Sequence, residues 1–214
     1  MPYSFIWDMD GTLVDSYPAI VPAILDVCAA HGLELPAEAV HEHVIRTSVG
    51  ELLSSVGHEH ALDPKQLISE FNVLNDSRTD AIRAIPHAEE ALLRLSDAGH
   101  RNFVYTHRGA SCRAILQNTG LLPYFTELVT ALDGFARKPA PDAILYLMEK
   151  HRLSPSRCFY VGDRSLDIEA AENAGIGGIL YLDPSSPGKA CGRETYLVSD
   201  LLEIPALFAG GVPA

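Results

Sequence analysis

From residue 86 onward, short apolar runs alternate with segments of helical spacing. RNFVYT (101–106), ELVTAL (127–132), RCFYVG (157–162) and GGILYL (177–182) are rich in Val, Ile, Phe and Tyr and predict strands. Helical patterns lie between them, near 110–119, 140–152 and 165–174, and TYLV (195–198) precedes a last helix around 200–208. Strands that are apolar on both faces and separated by helices indicate a parallel sheet covered on each side. Crossovers between parallel strands are right-handed, so the pattern predicts a doubly wound α/β domain.

Residues 16–84 follow a different rule: AIVPAILDVCAAHGL, AEAVHEHVI, GELLSSV and PKQLISEFNVLNDSRTDAI all have helical spacing, with no convincing strand. A helical insertion of about 68 residues thus interrupts the α/β pattern just after its first strand, FIW (5–7). The domains expected are a core of residues 1–15 and 85–214 and a helical cap of residues 16–84.

Charge narrows the range of functions. The chain of 214 residues carries 16 basic and 28 acidic residues, a net charge of −12, which argues against a nucleic-acid surface. An anionic substrate must therefore be held by a local cation or a metal against an unfavourable overall field. No run approaches the ~18 apolar residues that span a membrane, and the N-terminal MPYSFIWDMDG lacks the basic and apolar regions of a signal peptide. Cys28, Cys112, Cys158 and Cys191 form no CxxC pair and are expected as reduced thiols. The expectation is a cytoplasmic protein, a monomer or weak dimer.

Four stretches carry candidate chemistry. In Asp8-Met9-Asp10-Gly11-Thr12, two carboxylates two residues apart in extended chain point the same way, at the carboxyl end of the first strand. Such like charges repel unless a cation or shared proton relieves them. Asp8 could be metal ligand and nucleophile, and Asp10 a proton donor and acceptor; a plain Asp-Gly turn is the alternative. In FVYTHRGAS, Thr106 ends a strand, and its hydroxyl with the backbone of His107 and Arg108 would make a phosphate cradle at a helix start. In ARKPAPD (136–142), Lys138 could place a point charge on a phosphate or partner the repelling carboxylates. In YVGDRSLDIEAAENAG, Asp163 closes a strand and Asp167 lies in the first turn of the next helix, where both could face a metal bound at Asp8. Acidic residues also favour a helix N-terminus without any metal. Hard oxygen donors of this kind suit Mg²⁺.

DMDGTLVDS, YTHRG, RKPAPD and GDRSLDIEAAENAG stand in the order and spacing of the four motifs of the haloacid dehalogenase superfamily. The chain resembles its phosphoglycolate phosphatase-like and β-phosphoglucomutase-like branch, which has a Rossmann-like core and a helical cap. The resemblance implies an Mg²⁺-dependent phosphatase acting on a small phosphorylated metabolite through an aspartyl-phosphate on Asp8. Asp10 would serve as acid and base, with its backbone carbonyl reaching the metal. Thr106 and Lys138 would hold the phosphoryl oxygens, and Asp163 and Asp167 would complete the metal site. His107-Arg108 departs from the small amide that often follows the Ser or Thr of the second motif. The alternative is a sugar-phosphate mutase, which shares the core chemistry but needs a second phosphate site in the cap. Residues 16–84 offer only Arg46, Lys65, Arg78 and Arg83 as cations, and Arg46, before the Thr-Ser-Val-Gly turn, is the candidate to contact substrate. The tracts His41-Glu42-His43 and His58-Glu59-His60 read as solvated surface, and SSPGKA (185–190) has no phosphate-loop glycine at Asp183.

Overall fold

The computed structural model describes residues 2–183 and 188–209, so Ser185–Pro187 of the SSPGKA stretch lie outside the described residues. The chain forms two compact units, one of Met1–Asp15 with Arg83–Ala214 and one of Ser16–Ile82.

In the first unit, strand β1 (Ser4–Trp7) is followed by the short β2 (Val14–Asp15). After the helical unit the chain returns through β3 (Arg83–Ala84), which pairs antiparallel with β2. The helical unit is connected at this ribbon, and the two residues 83–84 that helical spacing assigned to the insertion belong to it instead. Helices α1 (Tyr17–Ala30), α2 (Ala37–Arg46), α3 (Val49–Glu59) and α4 (Pro64–Ser77) build the second unit. Its core joins Ile20, Ile24 and Val27 of α1 to Val40 and Val44, Leu53 and Val56, and Leu67 and Phe71 of the other three. Two starts are fixed by caps: Ser48 Oγ accepts from Glu51 N at 3.1 Å, and Asp63 Oδ1 accepts from Lys65 N at 2.9 Å.

The first unit continues with α5 (Ala88–Asp97), β4 (Arg101–Tyr105), α6 (Ser111–Asn118), β5 (Phe125–Val129) and α7 (Asp142–His151). Then follow β6 (Cys158–Gly162), α8 (Ser165–Asn173), β7 (Gly177–Tyr181), β8 (Tyr196–Val198) and α9 (Glu203–Phe208). The sheet order is β5-β4-β1-β6-β7-β8, with every pairing parallel, which is the doubly wound arrangement the alternating pattern predicts. Ile6, Phe103, Tyr105 and Tyr160 pack on one face with Ile144 and Leu147 of α7 and Ala170 and Ala171 of α8. On the opposite face Phe5 stacks against Phe159 and meets Phe208 of α9, 5.0 Å between ring centres. Buried Trp7 donates from Nε1 to Asn102 Oδ1 at 3.0 Å, which satisfies the indole inside the layer.

Strand β5 begins and ends earlier than the apolar run 127–132 suggests. The reason is local: Thr130 accepts from Leu132 N and receives Asp133 Oδ2 on its own N–H at 2.7 Å, a capping box that turns the chain. Apolar content alone does not register this, because Ala131 and Leu132 remain hydrophobic after the strand has stopped.

Candidate active site

The site lies at the carboxyl ends of β1, β4 and β6, where an open parallel sheet offers its crevice. Asp8 extends β1: its N–H donates to Val161 O at 2.8 Å, so it stays in register with β6 while Met9 turns into the core. Met9 O then accepts from the N–H groups of Leu13 and Val14, and Gly11 takes φ +84°, the left-handed turn that glycine adopts without strain.

Lys138 is the centre of the charge network. Its ammonium, fully buried, donates to Asp8 Oδ1 at 2.5 Å, to Asp167 Oδ1 at 2.7 Å and to Tyr160 Oη at 3.0 Å. Lys138 thus takes up one of the two roles the sequence leaves open to it, partner to repelling carboxylates. Burial works against its charge, but Asp167 and Asp8 outweigh that and the pKa of Lys138 is raised. Tyr160 Oη in turn donates to Tyr105 O at 2.7 Å. Burial, with Asp8 and Asp167 nearby, pushes the phenol well above its ordinary range, so it stays a donor.

Burial also dominates Asp8, which is 2% exposed, and Asp167 adds to it; against the opposing charge of Lys138, the carboxyl rises from 3.8 to about 6. The like charge that raises the Asp8 carboxyl comes from Asp167. A carboxylate from α8 thus crowds the end of β1. Asp8, Asp163 and Asp167 each bring a carboxylate oxygen within 4.8 Å of the others, and they are the metal-capable group found among the described residues. Asp8 Oδ2 is buried and makes no hydrogen bond among the described residues, while Thr12 Oγ1 donates to Asp163 Oδ1 at 3.3 Å. Three hard oxygen donors, with one buried acceptor left over, fit Mg²⁺.

Asp167 reaches this group from α8 because β6 ends in Gly162. A Cβ there would lie 2.3 Å from Asp167 Cγ, so any side chain at this position displaces the carboxylate. Asp167 also accepts from Arg164 N at 3.1 Å, which ties it to the helix start.

Asp10 is not in the three-carboxylate group. Its carboxylate is held by Arg108, whose Nε donates to both oxygens at 3.0 and 3.1 Å and whose Nη2 donates to Oδ1 at 2.6 Å. A cradle at a helix start directly after Thr106 is corrected by the structure. Helix α6 opens at Ser111, and a loop intervenes in which Thr106 Oγ1 accepts the Arg108 N–H at 3.0 Å. That amide is therefore engaged inside the loop. His107 uses its ring: Nε2 accepts the backbone N–H of Lys138 at 2.8 Å. Spacing alone does not single out Tyr160 or Tyr105; the signal is a tyrosine on a buried strand, which needs a polar partner for its hydroxyl.

In the helical unit Arg46 is exposed and paired with Glu42 at 2.5 Å, and Lys65 is exposed. Of the His-rich tracts, His41 packs edge-on to Tyr17 at 5.1 Å between ring centres, and His58, Glu59 and His60 face solvent.

An acidic site at the carboxyl edge of an open parallel α/β sheet, with a helical unit inserted after the first strand, defines the class. The chain belongs to the haloacid dehalogenase-like hydrolases, whose family model matches residues 5–180. It is 28% identical to a phosphoglycolate phosphatase of Vibrio parahaemolyticus, over 95% of this chain and 96% of that one. It is 30% identical to a phosphoglycolate phosphatase of Cereibacter sphaeroides, over 83% and 84%. Among solved structures, a predicted phosphoglycolate phosphatase of Haemophilus somnus superposes with a TM-score of 0.83 at 22% identity, covering 96% and 97%. A haloacid dehalogenase-like protein of unknown function from Agrobacterium tumefaciens gives 0.79 at 25%, covering 98% of each. No helix among the described residues is long and apolar enough to cross a membrane.

Proposed function

We propose that this hydrolase is a phosphatase that cleaves a small phosphate monoester through a phosphorylated Asp8. The observation that carries the reading is Asp8 itself: one carboxylate oxygen is fixed by Lys138, and the other is buried without a partner beside Asp163 and Asp167. Asp8, Asp163 and Asp167 would hold Mg²⁺, with the Asp10 carbonyl. When bound, the ion supplies neutralisation of the phosphoryl charge.

A carboxylate is a weak nucleophile and succeeds only when in line and held still. Lys138 holds Asp8 and supplies positive charge for phosphoryl oxygens in an otherwise acidic protein, and Thr106 offers its hydroxyl to the same oxygens. Asp8 attacks phosphorus as the ester oxygen leaves with a proton from Asp10. Asp10 then takes a proton from the water that attacks the acyl phosphate, which releases phosphate and restores Asp8. Arg108 keeps Asp10 in one orientation for both transfers.

Water rather than a second sugar hydroxyl is the acceptor. A mutase needs a second dianion site, and residues 16–84 offer few cations for one, with Arg78 already matched to Asp26. Relatives named phosphoglycolate phosphatase make phosphoglycolate the first ester to try. The test is phosphate release from a panel of phosphoglycolate, hexose phosphates and an aryl phosphate, with and without chelator. Release should stop on chelation and return with Mg²⁺. Full activity in excess chelator overturns the metal assignment, and rapid interconversion of hexose 1- and 6-phosphates with little free phosphate overturns the hydrolase.

A further inference from the structure

We infer that His107 is a positioning residue for Lys138, acting through the Lys138 backbone rather than on the substrate. This rests on the phosphatase reading and deepens it. A lysine ammonium ends a stem of four flexible carbons, so three oxygens at Nζ do not by themselves fix where it can reach. The backbone of the loop that carries it decides that. Loop 136–138 is tied by Tyr105 at the end of β4 and by His107 just beyond it: Tyr105 Oη donates to Ala136 O at 3.0 Å, and His107 Nε2 accepts Lys138 N–H at 2.8 Å.

Tyr105, the last residue of β4, and His107, in the loop that follows, both reach the lysine loop. Their rings meet edge-on, 5.9 Å between centres. Arg108, one position on, turns instead to Asp10. The two residues that depart from the small amide of the second motif thus divide the site between them, one holding the lysine loop and one the acid. An amide N–H can only donate, so Nε2 must be the bare nitrogen of the ring, and the ring proton sits on Nδ1. Burial, together with the positive charges of Lys138, Arg137 and Arg164, presses the imidazole down to about 2 and keeps that lone pair available. A protonated ring would set two donors against each other.

Two variants separate the acceptor from the ring. His107→Gln keeps an acceptor and loses the ring; His107→Phe keeps the ring and leaves Lys138 N–H without a partner. With a small displacement at a reacting group costing up to ~100-fold, His107→Phe should lower kcat about 10–100-fold with KM changed less than threefold. His107→Gln should stay within about fivefold of wild type. In a Lys138→Ala background His107→Phe should then change the residual rate less than twofold, because the group it positions is gone. A Phe variant as active as Gln, or the same fold loss in both backgrounds, overturns the inference. The ¹⁵N spectrum of the wild-type ring needs neither variant nor turnover. It should give an unprotonated, hydrogen-bonded Nε2 at pH 7, and a protonated Nε2 overturns the proposal even if a variant fails to fold. A wild-type enzyme inert to every ester would instead remove the phosphatase reading, which keeps the two failures apart.

Discussion

Replacing Asp8 with Asn should abolish turnover while making the metal-free protein more stable. The carboxyl rises from 3.8 to about 6 in the folded chain, mainly through burial. That gap of about two pH units corresponds to about 3 kcal/mol at 1.36 kcal/mol each. The sign follows from proton binding. Between about pH 4 and 6 the folded protein keeps a proton on Asp8 that the unfolded chain has lost, so stability falls as pH rises through this window and stays lost above it. Asn mimics the protonated form at every pH. At pH 8 in chelator the variant should therefore gain about 3 kcal/mol, and at pH 4.5 only about 1. Breaking a buried ion pair normally costs ~3–5 kcal/mol, because a charge is left uncompensated. Here Lys138 keeps Asp167 at 2.7 Å and Tyr160 at 3.0 Å, and its attraction for Asp8 already opposes the rise to about 6. The burial penalty wins. For a chain of this size 3 kcal/mol is roughly 6–12 °C in Tm. Thermal unfolding of both proteins at pH 8 and pH 4.5 in chelator, with a phosphate-release assay beside it, makes the comparison. Saturating Mg²⁺ should narrow the gap at pH 8, since only wild type gains fully from the ion. A variant less stable than wild type at pH 8 refutes the argument by showing that the Lys138 pair outweighs desolvation. Substantial residual turnover would reduce Asp8 to a ligand.

Asp10→Asn should turn over poorly but still react once with an aryl phosphate, whose leaving group needs little protonation; intact mass should catch Asp8 carrying one added phosphoryl group, and its absence would take the base role from Asp10. Gly162→Ala puts a Cβ 2.3 Å from Asp167 Cγ, so it should cost about 1–3 kcal/mol in denaturant unfolding and at least tenfold in kcat; wild-type values in both would mean the strand end yields freely. Arg46→Ala should leave Tm unchanged, since Arg46 and Glu42 are both exposed, and raise KM for the best ester of the panel while hardly touching an aryl phosphate; equal effects on both esters would remove Arg46 from substrate recognition.

The alternation of apolar runs with helical spacing was enough to specify the parallel sheet, because a strand buried on both faces must be apolar throughout and each crossover needs its own helix. The same spacing marked the insertion, and strand ends marked Asp8, Thr106 and Asp163, since a β–α turn is where polar residues first follow such a run. Partner choice was beyond it. Asp8 and Asp10 are two residues apart and sequence spacing pairs them, yet the fold sends one to Lys138 and the other to Arg108, 130 and 98 positions away along the chain. Those distances close only when β1, β4 and β6 lie side by side. Nor could the sequence distinguish a lysine on a phosphate from one between carboxylates, or a histidine whose backbone cradles an anion from one whose ring holds a loop. Side-chain chemistry is local and was legible, but which lone pair meets which proton depends on strand order and register, and these arise only when the layers pack.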